Sequence, residues 1–282
     1  MNKVISLFLL ASMLILTSCE KDETTQSVDE RTNSEASADV MATTIGQETG
    51  GAGVIAQDAS NLAEGFSFSN GTYMKENKVV SMDSTYDPTT KTHTVTLLRN
   101  KNFGEFSYNA LVTYNYIFFT GPVATPGFAK GVTDRIRLTI NGKHLTNTPR
   151  INSDDSSHGE FLVTGMAAGG APPTMNGTYW RGGTHTITKA LQGKVITVDQ
   201  TITFSDCVLH RVNDSTVSIT GTATGNYNAT GSGGGTASRS VVATFNGDRT
   251  ATLAMTRTNE GVTDSCMIDV KTGKWLKWLT SK

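Results

Sequence analysis

Ile196-Thr197-Val198-Asp199-Gln200-Thr201-Ile202-Thr203-Phe204 puts Ile196, Val198, Ile202 and Phe204 on one face of an extended strand and mostly hydroxyl or carboxylate groups on the other. That is the two-residue period of an antiparallel sheet with one dry side and one wet side. Leu191-Gln192-Gly193-Lys194 supplies a turn before this strand, and Asn213-Asp214 supplies one after it, leading into Val217 and Ile219. Successive turns of this kind imply a meander.

The same pattern extends in both directions. Val79 to Thr85 and Thr92 to Arg99 flank Asp87-Pro88-Thr89-Thr90-Lys91, which reads as a hairpin. Ala110, Val112, Tyr114, Tyr116 and Phe118 alternate on a strand whose opposite face, with Leu111, Ile117 and Phe119, is also apolar, as in a central strand. Ile136, Leu138 and Ile140 alternate up to Asn141-Gly142, a hairpin turn signal. Ser240 to Phe245 joins Arg249 to Met255 through Asn246-Gly247, and Cys266 to Val270 joins a last strand through Lys271-Thr272-Gly273. Threonine is about one residue in six, a β-branched side chain suited to a wet sheet face. The expected fold is all-β: an antiparallel meander of hairpins forming a sandwich or a broad barrel over residues 54–282. A subdivision is expected near 167–176, where Gly169, Gly170, Pro172 and Pro173 interrupt the pattern.

The N-terminal part is written differently. Lys3 precedes an apolar run from Val4 to Leu16, too short for a stable membrane span, and Leu16-Thr17-Ser18-Cys19 follows. This arrangement resembles the bacterial lipobox, which implies that 1–18 is a lipoprotein signal peptide and that Cys19 carries the lipid of the mature chain. Cys19-Glu20-Lys21-Asp22-Glu23 resembles the export signal of Bacteroidota surface lipoproteins, which implies, through Lys21, Asp22 and Glu23, an outer-membrane protein facing the cell exterior. Between Glu20 and Asp39, seven acidic residues stand against Lys21 and Arg31 with almost no large apolar side chain, so residues 19–53 read as a disordered acidic tether. Asp83-Ser84-Thr85 and Asp214-Ser215-Thr216 resemble the Bacteroidota O-glycosylation sequon, at Ser84 and Ser215. The style of the whole chain is similar to Bacteroidota lipoproteins.

From Val40 onward, 21 Lys and Arg balance 18 Asp and Glu, which gives no basis for nucleic-acid binding. The histidines His93, His144, His158, His185 and His210 have no zinc spacing, and no nucleophile-elbow serine is present. No catalytic residue, metal or cofactor is therefore expected. Asn152, Asp154, Asp155, His158 and Glu160 lack the glycine and terminal glutamate of a calcium loop and read as an exposed loop between Ile140 and Phe161. Gly231-Ser232-Gly233-Gly234-Gly235 reads as a flexible loop. With Cys19 acylated, Cys207 and Cys266 remain as a candidate disulfide in an oxidising compartment.

Three function classes follow. The leading one is a non-enzymatic module, held to the membrane by its lipid, that binds a glycan, a polymer or a protein partner. Tyr179, Trp180, Trp275 and Trp278 are its candidate stacking residues. The second is a glycan-acting hydrolase drawing two carboxylates from Asp83, Glu105, Glu160, Asp199 or Asp206. The third is a barrel carrying an apolar ligand.

Overall fold

A computed structural model describes residues 28–69, 74–75, 78–103, 105–167, 171–213 and 216–281. Cys19, Lys21, Asp22, Glu23 and Ser215 lie outside the described residues. The fold is an all-β antiparallel meander, as the alternation implies. Its strands are β1 Val79–Asp87, β2 Thr92–Phe103, β3 Phe106–Thr120, β4 Val123–Thr125, β5 Arg135–Asn147, β6 Ile151–Thr164, β7 Thr174–Ile187, β8 Lys194–Asn213, β9 Thr216–Gly231, β10 Thr236–Asn246, β11 Thr250–Arg257, β12 Thr263–Asp269 and β13 Lys274–Ser281. They form one thirteen-stranded sheet in chain order, with the short β4 paired to β3 off the main path. The sheet does not close, and β1 and β13 are its two edges. It also runs without interruption from β6 to β7, which pair from Ile151↔Ile187 to Thr164↔Thr174, so there is no subdivision near 167–176.

The tether expectation needs correcting from Val28 onward. Val28–Ile45 is helix α1 and Ala52–Ala63 is helix α2, and both are part of the core. Met41, Ile45, Ile55 and Leu62 are almost fully buried, and every residue of α2 is buried. A helix buried on all sides has no polar face to give it away in the sequence. The helices lie against the inner face of the sheet, and strands far apart in its order reach the same segment. Asp58 of α2 accepts hydrogen bonds from Arg99 on β2 and Tyr114 on β3 at 2.7 and 2.5 Å. Ser34 of α1 donates to Asp264 on β12 at 2.6 Å. The sheet therefore curls around the helices as an open trough around a plug.

Charge explains why so polar a segment goes inside. From Val28 to Glu64 there are seven acidic residues, Asp29, Glu30, Glu35, Asp39, Glu48, Asp58 and Glu64, and one base, Arg31. The surrounding strands and turns answer with cations: Arg99 pairs with Asp58, Lys101 with Glu48, Arg150 with Asp39 and Arg211 with Glu64. Arg239 donates to Ser34 and Ser37, and Arg181 to the carbonyls of Thr43 and Thr49. Of these pairs Arg99–Asp58 is buried on both sides; a buried pair adds little net stability, but breaking it is costly, so it fixes where α2 sits. Between the helices, Gly50 has φ +70°, and a Cβ there would overlap the Tyr108 ring.

Two further expectations are corrected. Asn141-Gly142 is not a turn but the middle of β5. Gly142 lies where a Cβ would press on His144 Nε2 and Ser157 Oγ, so the glycine makes room for a side-chain contact and not for positive φ. Cys207 and Cys266 are both free and buried, on β8 and β12. Three strands lie between them, about 19 Å along the sheet, whereas a disulfide needs Cα atoms within about 7 Å. Burial pushes the Cys207 thiol up to about 11 and the Cys266 thiol up to about 12. Thiol reagents are thus expected to leave both unmodified in the folded protein at pH 8 and to label both in urea without reductant. Rapid native labelling, or no labelling in urea, contradicts this arrangement.

Candidate functional site

The outer face of β7 to β11 is built mostly from neutral polar side chains, with Val195, Val212 and Val242 exposed among them. β7 presents Thr178, Trp180 and Thr184, β9 presents Thr222, Thr224, Asn226, Asn228 and Thr230, and β10 presents Thr236, Ser238, Ser240 and Thr244. β11 adds Thr250, Thr252 and Thr256. The register lines these into rows across the strands: Trp180 stands beside Thr201, Thr201 beside Asn226, Asn226 beside Ser240 and Ser240 beside Thr256. Neighbours bond to each other, Thr178 to Thr203 at 3.3 Å and Ser238 to Asn228 at 2.8 Å.

Two carboxylates interrupt this face, both on β8 and both engaged. Asp199 accepts the Trp180 indole N–H at 2.9 Å, and Asp206 accepts from Asn176 at 3.1 Å. A typical protein surface is about a quarter to a third charged, so five adjacent strands with two bonded aspartates and no cation across this central area stand apart. They also lack the apolar outward band of a membrane-spanning β-barrel.

Trp180 is the aromatic centre of this face. It is partly exposed, its ring is 4.7 Å from that of His158 at an interplanar angle of 22°, and Gly182 leaves the space it covers. The other candidate aromatics are elsewhere. Tyr179 points inward and is fully buried, and burial raises its phenol pKa. Trp275 and Trp278 on β13 pack against the core, 5.7 Å apart, with the Arg150 guanidinium 5.1 Å from the Trp275 ring. They are half-buried at the β13 edge of the sheet, away from Trp180. Ser84 is exposed on the edge strand β1.

Asn152 to Glu160 is a strand, not a loop. Asn152, Asp154, His158 and Glu160 point outward, while Ser153, Asp155 and Ser157 point inward. This divides the supposed ligand cluster between two faces, and no group of three or more metal-binding side chains occurs among the described residues.

The inward half belongs to a polar centre that sequence reasoning missed. Asp155 accepts from Arg181 Nε at 2.9 Å and bonds His185 at 2.6 Å, all fully buried or nearly so. Beside them His144 bonds Ser157 at 2.7 Å and Tyr108 at 3.3 Å. Burial alone would raise the Asp155 carboxyl, but Arg181 and His185 outweigh it and hold it well below the usual carboxylate range. His144 is pushed the other way for a base, down to about 3, by burial and then by Arg181. Its ring is therefore neutral, and the end of α1 and the loop after it cover this centre, where Arg181 bonds the carbonyls of Thr43 and Thr49. The available signal was the phase of Ser153, Asp155 and Ser157, which matches the core phase of Ile151, Phe161 and Val163.

Clefts open on the surface of the described residues at three places, among others. One, of about 760 Å³, lies where α2 ends and contains Glu64, Lys130, His210 and Arg211. Another, of about 440 Å³, lies between α1 and the Gly231–Gly235 turn and holds Lys194 as its charged group. The third, of about 120 Å³, contains Arg239, Arg257 and Glu260. None of the three brings two of the candidate carboxylates Asp83, Glu105, Glu160, Asp199 and Asp206 together. The space a barrel would offer to an apolar ligand is filled by α1 and α2. The fold and its surface define an all-β protein with an internal helical plug and a neutral outer sheet face. No family model, curated protein or solved structure matches the chain.

Proposed function

We propose that this protein is a lipid-anchored module on the outer membrane, facing outward, that binds its target without transforming it, and that the target is a neutral polyhydroxylated polymer received on the outer face of β7 to β11. The observation that carries this reading is the chemistry of that face. Hydroxyl and amide side chains about 4.8 Å from one strand to the next along each row offer donors and acceptors at a regular spacing, and Trp180 offers a flat apolar ring for a sugar face. The absence of cations disfavours nucleic acids and anionic polymers there.

The anchor rests on the lipobox resemblance at Cys19. Since α1 begins at Val28, nine residues link the lipidated sulfur to the folded domain, a distance of at most about 30 Å even when fully extended. The domain then rides close to the membrane, nearer than a tether reaching Gly53 would keep it.

Two measurements test the proposal. Cys19→Ser is expected to shift the protein out of the outer-membrane fraction, and an unchanged distribution rejects the anchor. The protein is expected to be retained on an insoluble neutral glucan but not on a polyanionic polysaccharide. Trp180→Ala should weaken that retention about tenfold, the scale of one aromatic contact. Equal retention of the variant, preference for the polyanion, or release of soluble sugar from the glucan each rejects the binding-face reading.

A further inference from the structure

The cleft at the end of α2 is separate from the neutral face and differs from it chemically. Its walls are partly apolar, from Phe66, Phe128, Met166 and Leu209, and Lys130, His210 and Arg211 stand among them. Glu64 is the one carboxylate lining it and is already engaged: Arg211 bonds it at 2.5 Å while its guanidinium lies 3.9 Å over the Phe66 ring.

The walls are fixed by the fold. Gly65, at φ +83°, leaves room for the Phe128 ring, which a Cβ there would meet, and Phe128 in turn contacts Phe118 edge-on at 6.1 Å. The loop carrying Lys130 is closed by Thr133, whose hydroxyl accepts from the Ala129 N–H at 2.8 Å, and the Leu209 N–H bonds the Pro173 carbonyl at 2.8 Å. A cleft of about 760 Å³ falls within the usual range for small-molecule sites. Apolar walls with Lys130 beside the Glu64-paired Arg211 fit a molecule with an apolar body and an anionic head.

We infer that this cleft binds a carboxylate on an apolar chain, of the fatty-acid class, with the chain against Phe66, Phe128 and Met166 and the carboxylate toward Lys130 and Arg211. The plug fills the inside of the trough, so the ligand sits at the mouth, where α2 ends.

Titration calorimetry on the full chain with decanoate, acetate and decyltrimethylammonium, below micelle formation, tests this. Decanoate is expected to bind, acetate to give no heat, and the cation of equal chain length to bind at least tenfold more weakly. Lys130→Glu, at an exposed position, should weaken decanoate binding about tenfold, and Phe128→Ala should do the same in protein whose circular dichroism is unchanged. Trp180→Ala should leave decanoate binding as it was, which separates this site from the polymer face. Absence of decanoate binding, equal binding of anion and cation, or indifference to Lys130→Glu overturns the inference.

Discussion

Acidification from neutrality to about pH 3 is expected to cost the folded protein roughly 4 to 5 kcal/mol through His144 alone. In the unfolded chain this imidazole takes up a proton near 6.5, while in the folded protein burial and Arg181 hold it neutral down to about 3. Between those values the unfolded state binds one more proton than the folded state, so stability is complete above about 6.5. It then falls by about 1.4 kcal/mol for each pH unit as the solution is acidified toward 3. Asp155 acts in the same direction at lower pH. Its carboxyl is held below its unfolded value, so the stability it contributes is present above about 4 and is lost as pH falls further. A loss of this size is comparable with the whole stability of many domains, so the protein should unfold in mild acid. Urea titrations at pH 7.5, 5.5 and 4 should show the decline, and His144→Gln should remove about one proton from the slope between 6.5 and 4. A variant with the wild-type slope would assign the effect to other groups.

How much of this was legible in the sequence depended on whether neighbouring residues carried the cause. Strands β8 to β13 were readable because each alternates its apolar and hydroxyl residues and ends at a turn such as Asn246-Gly247 or Lys271-Thr272-Gly273. Alternation says which residues share a face, but not how far a sheet bends, so sandwich and barrel were both expected where an open trough is found. Asn141-Gly142 had the composition of a turn, but the contact that requires Gly142 involves Ser157 on the next strand. Asn152 to Glu160 looked like a loop because Ser153, Asp155 and Ser157 among its polar residues face inward, toward partners on β7 and β5.

The helical plug was the hardest element to read. α1 has little large apolar surface, and what holds it is distant in the chain: Arg239 reaches Ser37, Arg150 reaches Asp39 and Gln200 reaches Thr44. An acidic stretch whose cation, Arg150, comes from a turn 111 residues away looks locally like a solvated linker. On the site, Trp180 was singled out by its glycine-flanked setting, and the structure puts it on the outer face. Tyr179, its neighbour, takes the opposite face by the same two-residue period. The end cleft draws on α2, two loops and β8, and no single stretch announces it.

The plug's dependence on these long-range bonds leads to the second large effect. Arg181→Met keeps the length and apolar volume of the side chain but removes the guanidinium that bonds Asp155, Thr146 and the carbonyls of Thr43 and Thr49. Asp155 would keep His185, but it would lose its full positive partner in a fully buried setting, and removing one member of a buried pair typically costs about 3 to 5 kcal/mol. The carbonyls at the end of α1 and in the loop before α2 would lose their donor as well, so the plug should loosen along with the loss of global stability. We expect the urea midpoint to fall sharply and limited proteolysis to cut within residues 43–51 before it cuts the strands. Replacing Asp155 by leucine in the same chain should recover part of the loss, because the uncompensated charge is then gone while the bonds to Thr43 and Thr49 remain absent. If Arg181→Met costs less than about 1 kcal/mol, or if the double variant is no more stable than the single one, the plug is held by its apolar packing and not by the charge at the centre of the sheet.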